Sequence, residues 1–283
     1  MSDRQSVGKR ALMVAVSLAY WLLRGGYRTA ARLICPVPAP ASPIVLTYHA
    51  VRDEEARRFE WQMQDLKAHA AVVFADDATT LNRRRTVAVT FDDAFQSVFD
   101  RALPIMARYQ IPATVFVPTG SLGAETGWVP AARRLPGSSG VLASADTLAA
   151  SDPHLVRLGS HTVTHSYLTS LSEAQLNAEL VVSKQTLEEL SVRMVTILSF
   201  PFGSFDTRVL KAAGASGYKQ LFANIPVRPG AAGVAQLIGR INVTPRDCRL
   251  EFRLKFRGAY EWLALAIPAK RAVLRWLGWD RRA

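Results

Sequence analysis

Cysteine is almost missing from this chain: Cys35 and Cys248 are the two thiols among 283 residues. Two cysteines cannot build a disulfide framework, and theirs match no zinc-binding spacing. Acidic residues are also in deficit, with 23 Asp and Glu against 35 Lys and Arg, a net charge of +12. The imbalance sits at the ends. Residues 1–43 hold six Lys/Arg against one acid and residues 246–283 hold ten against four, whereas residues 44–245 are nearly neutral at +1. A nucleic-acid-binding domain carries its basic patch on the folded body, so this distribution argues against nucleic acid as a partner. A hydrophobic content of 49% with 20% charged residues argues against disorder.

The N-terminal apolar run is too short to span a bilayer. Residues 11–23, "ALMVAVSLAYWLL", make 13 positions between Arg10 and Arg24, against the ~20 that a spanning helix needs. The run fits the core of a signal peptide, but "GGYRTAARLICP" after it carries more arginine and lacks a clean A-x-A site. Ile34 before Cys35 also makes a poor lipoprotein signal. "PVPAPASP", residues 36–43, reads as a stiff linker. At the other end "IPAKRAVLRWLGW" is expected to start a helix at Pro268. Val273, Leu274 and Leu277 then lie together, with Lys270, Arg271 and Arg275 on the flank. Both ends read as basic amphipathic extensions that contact an anionic membrane surface, with association at the inner membrane expected and the face left open. The alternative is that they pack on the domain as accessory helices.

Between the ends, strand and helix patterns alternate. "IVLTYHAV", "TVAVTF", "ATVFVPT", "LVRLGSH", "VTILSF", "YKQLFANI" and "LIGRINV" read as strands. "FEWQMQDLKAHA", "SVFDRALPIMARYQ" with an interruption at Pro104, "SEAQLNAELVVSKQTLEEL" and "DTRVLKAAGASG" read as helices. Ser172 and Gln175 form a capping box at the start of the third of these. Near-continuous apolar strands separated by helices signify a parallel sheet covered on both faces. About seven such units over residues 44–245 predict an α/β fold, a distorted (β/α) barrel of about seven parallel strands. No internal repeat is visible.

In parallel barrels chemistry gathers at the C-terminal ends of strands. Three polar clusters lie there: His49, the pair Asp92 and Asp93, and the pair His161 and His165. On an extended strand the two histidines would stand about 13 Å apart, at ~3.3 Å per residue. To share a metal they must lie on a turn, so the strand is expected to end near Ser160. Two imidazoles usually recruit a carboxylate and leave one position open for water. If Asp93 is that ligand, Asp92 remains free as the base for water that the metal acidifies. The plainer alternative is a solvated Asp-Asp turn before a helix. Trp128 can stack on a sugar or cover a hydrophobic edge. His69, His154 and the "NRRR" at 82–85 read as solvated.

"TFDD", "SHTVTH" and "SFPFG", in this order and spacing, resemble the polysaccharide deacetylase family, carbohydrate esterase family four, also called the NodB homology domain. The resemblance runs from about Ile44 to Val243 and includes "ALPIMARYQIPATVFV". It implies a seven-stranded distorted barrel. It also implies Asp92 as general base, and Asp93, His161 and His165 as holders of a divalent metal, usually zinc, with cobalt, nickel or manganese also suited to the donors. The backbone amide of Phe202 is implied to help form the oxyanion hole, between Pro201 and Gly203. Two departures stand out. The arginine that braces the catalytic aspartate in the third motif is missing, and Arg240 either substitutes for it or serves as a structural ion-pair residue. The general-acid histidine near the domain's end is missing too, since none follows His165. His49 matches the poly-N-acetylglucosamine deacetylase branch, where a histidine at that place is assigned as the acid. A core histidine tied to a carbonyl is the alternative there.

The function implied is metal-dependent de-N-acetylation of an amino-sugar polysaccharide, or its lipid-linked precursor, in cell-surface glycan biosynthesis. A deformylase of a lipid-linked aminosugar and a catalytically silent carbohydrate-binding barrel are the rivals.

Overall fold

The computed structural model describes residues 2–34, 44–77, 86–128, 140–227 and 236–267, with side chains from 8 to 26 in the first stretch. The linker at 36–43, the "NRRR" at 82–85 and the segment from Pro268 lie outside the described residues.

Eight strands alternate with helices: β1 (Ile44–Tyr48), β2 (Ala71–Val73), β3 (Thr86–Phe91), β4 (Ala113–Val117), β5 (Val156–Ser160), β6 (Ile197–Ser199), β7 (Gln220–Ala223) and β8 (Gln236–Asn242). The order β1-β8-β7-β6-β5-β4-β3 closes through a β1–β3 pairing, so seven parallel strands make the expected barrel. β1, β3 and β4 are buried along their whole length, which is why they read as continuous apolar runs. β2 was not legible in the sequence. Its three half-buried residues pair with Thr86 to Ala88 of β3, on the edge where Val89 to Phe91 meet β4.

The helices are α1 (Ser2–Ile34), α2 (Ala56–His69), α3 (Leu103–Arg108), α4 (Ala145–Ala149), α5 (Glu173–Ser191), α6 (Thr207–Ala215) and α7 (Arg249–Phe256). Ser172 and Gln175 cap α5 reciprocally, as their spacing predicts. The expected interruption at Pro104 is present: the helical turns that begin before Val98 pass through a π-helical segment, Val98–Ala102, and resume as α3 at Leu103, with Pro104 in its first turn. α1 lies along α7 and the turn after it. Trp262 Nε1 donates to Ser17 Oγ at 3.0 Å, and Arg10 reaches Asp247 and Glu251. Among the described residues no helix is long and apolar enough to cross a membrane.

Inward-facing positions alternate along each strand. Val45, Ala88, Phe116, Ile197 and Phe222 plug the barrel, the two phenyl rings 5.2 Å apart. Gly159 has no side chain because a Cβ there would lie 2.7 Å from Phe116 and 2.9 Å from Ile197. Two residues further along their strands, Thr90, Ser199 and Arg240 form a buried polar layer on that plug. This layer is the floor beneath the strand ends.

Candidate metal centre and active site

The floor explains the aspartate pair. β3 carries Asp92 directly over Arg240, whose guanidinium is fully buried. Both Nη atoms donate to the Asp92 carboxylate at 2.7 Å, one to each oxygen. The remaining N–H groups donate to Ala223 O (3.1 Å), Thr90 Oγ1 (3.2 Å) and Ser199 Oγ (2.7 Å). All five donors are used. Burial pushes the Asp92 carboxyl up, but the Arg240 guanidinium, followed by His161, outweighs it and holds the group below the ordinary 3.8. The missing brace of the third motif is thus supplied by β8, and Arg240 is both brace and ion-pair partner.

Beyond Asp92 the backbone reverses with left-handed φ at Asp93 (+70°) and Ala94 (+51°). That turn sends the second carboxylate away from Arg240. β5 ends at Ser160 as expected, and a turn with φ of +68° at Thr162 and +57° at His165 carries both histidines. Glu179 on α5 holds this turn. Its carboxylate accepts from the backbone N–H of Val163 (2.7 Å) and Thr164 (2.9 Å) and from Thr164 Oγ1 (2.6 Å).

One ligand atom each from Asp93, His161 and His165 lies within 4.8 Å of the others, and all three residues are buried. His161 Nδ1 lies 2.7 Å from Ser199 O. A carbonyl can only accept, so the proton sits on Nδ1 and the Nε2 lone pair faces inward. Burial lowers this imidazole to about 4, against the pull of Asp92, so it is neutral at pH 7. Asp93 Oδ1 lies 3.7 Å from His161 Nε2 and 3.1 Å from His165 Nε2, yet no donor is aligned on it. A buried carboxylate oxygen facing imidazole nitrogens without a hydrogen bond fits a cation between them. These donors therefore suit a divalent metal on their own geometry.

Aromatic rings wall the cluster. Trp128 stacks on His165 with centroids 4.3 Å apart at 16°, so it braces a ligand-type histidine, which neither sequence expectation foresaw. Phe202, with φ of +57°, meets His165 edge-on at 4.6 Å and stacks on Tyr167 at 4.2 Å. Gly203 permits this turn, since a Cβ there would stand 2.1 Å from Asn224 Oδ1. His49 follows β1 and is exposed, so it is no core histidine. The β1–β3 register, Tyr48 opposite Phe91, puts it beside Asp92. His69 lies on α2 with Nδ1 2.8 Å from Asp65 O, away from the cluster.

The family profile for polysaccharide deacetylases matches residues 80–221, half of the chain, a span that includes Asp92, Asp93, His161, His165 and Phe202. This chain belongs to the polysaccharide deacetylase family. The family's members are hydrolases of carbon–nitrogen bonds in glycans. His49 and Arg240 lie outside the matched span. The chain is 24% identical over 223 residues to YxkH of Bacillus subtilis, 73% of each protein. It is 35% identical over 81 residues to a poly-beta-1,6-N-acetyl-D-glucosamine N-deacetylase of Staphylococcus epidermidis, 26% of this chain and 27% of that one. The deacetylase PplD of Streptococcus pyogenes, solved with acetate, shares the fold at a TM-score of 0.62 and 22% identity, over 74% of this chain and 95% of that one. IcaB of Ammonifex degensii does so at 0.59 and 21%, over 78% and 97%.

Proposed function

We propose that this deacetylase is metal-dependent and removes N-acetyl groups from an amino-sugar glycan, or its lipid-linked precursor, during assembly of cell-surface polysaccharide. The observation that carries the reading is the undonated Oδ1 of Asp93 between two imidazoles, beside an Asp92 that Arg240 holds apart. The partial match to a poly-N-acetylglucosamine deacetylase supports the choice of sugar class.

Asp93, His161 and His165 would hold the cation, and their donor set suits zinc first, with cobalt, nickel or manganese as other candidates. When bound, the metal polarises the amide carbonyl and makes water more acidic. Asp92 takes the proton of the attacking water. The bidentate Arg240 favours its ionised form and fixes its direction. The Phe202 backbone amide donates to the developing oxyanion. His49, exposed at the rim, hands a proton to the nitrogen as the carbon–nitrogen bond breaks. One water is consumed, and acetate and a free amine leave. Tyr167 and Phe202 together form an exposed aromatic ledge against which a sugar ring rests.

Purified protein incubated with N-acetylglucosamine oligomers tests the reading by acetate release and metal content. Asp92→Asn should retain the metal and lose about a thousandfold in turnover. Formate in place of acetate, from N-formylated sugars, would make the enzyme a deformylase. Undiminished turnover in Asp92→Asn would reject Asp92 as the base.

A further inference from the structure

α1 is apolar on two faces. A surface helix ordinarily turns one apolar face to the core and charged residues outward. Here Met13, Val14, Leu18 and Trp21 pack against the core, and beside them Arg10 binds Asp247 at 2.8 Å and Glu251 at 2.6 Å, and Arg24 pairs with Glu261. Ser17, fully buried, faces the same way and accepts from Trp262. The opposite side presents Leu12, Ala15, Val16, Ala19, Leu22 and Leu23, all exposed and none charged. Leu12, Leu22 and Leu23 are 64%, 57% and 76% exposed. At 1.5 Å per residue the stripe from Leu12 to Leu23 is about 17 Å long. A contiguous apolar stripe of this kind marks an interaction surface.

Charge selects the occupant. Residues 8–26 of α1 carry Lys9, Arg10 and Arg24 and no acid, and α1 packs on α7, within residues 246–267, which carry five Lys/Arg against three acids. The described ground around the stripe is therefore net basic, while residues 44–245 are nearly neutral. A second copy of the chain would bring like charge to this face. An anionic phospholipid surface brings the opposite charge together with an apolar layer. No described helix can cross that layer, so α1 would lie along it.

We propose that the outer face of α1 seats the protein on an anionic phospholipid surface. Leu12, Leu22 and Leu23 enter the boundary between headgroups and acyl chains, and exposed Lys9 sits at the headgroup level. The inference concerns a face remote in sequence from the catalytic clusters and does not depend on the reaction proposed above.

The test is cosedimentation of the full chain with phosphatidylcholine vesicles, with and without phosphatidylglycerol. The expected result is binding to the anionic vesicles that weakens with salt, and a loss of about tenfold or more in a Leu12→Gln, Leu22→Gln, Leu23→Gln triple variant. That variant should keep the parent's melting temperature and its acetate release from soluble oligomers. A parent that stays in the supernatant with anionic vesicles would overturn the proposal, as would a triple variant that binds undiminished. A parent dimer that the triple variant converts to monomer, with no vesicle binding by either, would assign the face to a second copy instead.

Discussion

Arg240 and Asp92 stand 148 residues apart in sequence and meet at the barrel's top in a bidentate ion pair, both Nη–Oδ distances 2.7 Å. Neither is accessible to water in any useful degree, so each is the other's neutralising charge. Removing one partner of a buried pair leaves an unpaired charge, at a cost of about 3–5 kcal/mol.

Arg240→Met should therefore destabilise the fold by about that amount and move the pH profile. Burial is the largest influence on Asp92, and it acts upward; the guanidinium is what reverses it. Without Arg240 the carboxyl rises above its ordinary value and protonates at a pH where the parent remains ionised. In the parent the depressed group contributes stability that is present above about pH 4 and is lost as pH falls through its folded pKa. The acid limb of kcat/KM should shift upward in the variant. An acid limb at the same pH in both proteins would show that Arg240 does not set the ionisation of Asp92.

Metal binding should follow the donor set. Dialysis against a chelator should abolish acetate release and a divalent salt restore it. Asp93→Asn should weaken the cation by about a hundredfold, since it removes the charge between the two imidazoles. Isothermal titration of the metal-free protein measures this directly. Equal affinity in parent and variant would remove Asp93 from the ligand set.

Glu179 is expected to act through the histidine turn without touching substrate. Its carboxylate accepts three hydrogen bonds from Val163 and Thr164. Glu179→Gln replaces an acceptor oxygen with an NH2 group that faces those same donors. Metal affinity should fall about tenfold or more, with kcat falling alongside, because the supports of metal ligands carry effects of that size. A purely structural role would lower the melting temperature and leave the affinity of the folded fraction intact.

Tyr167 should matter for long substrates. Its ring is exposed and stacked on Phe202, one ring away from His165. Tyr167→Ala should raise KM for oligosaccharides about fivefold, or ~1 kcal/mol, with kcat little changed. A fall in kcat at constant KM would instead tie the ring to the positioning of Phe202.

Much of this architecture is written locally. Fully buried strands give continuous apolar runs, so β1, β3 and β4 and the barrel's strand count were legible by length and spacing alone. The carboxylate pair after β3 and the histidines after β5 were legible because strand ends are where a parallel barrel exposes polar groups. β2 was not, since three half-buried residues carry no period. The interruption at Pro104 was legible, since a proline inside a helical pattern cannot donate to the turn before it.

What the sequence determined by itself is the seven barrel strands, four of the helices between them and the chemical types at the strand ends. Only the closed barrel decided that Arg240 of β8 lies under Asp92 of β3, that Ser199 O orients His161, and that Glu179 holds the turn between the histidines. Only the docking of α1 on α7 decided which side of an apolar helix faces outward. The reason is physical: periodicity and capping are interactions between near neighbours in the chain, whereas a bidentate ion pair across 148 residues exists once the β1–β3 pairing has closed the ring.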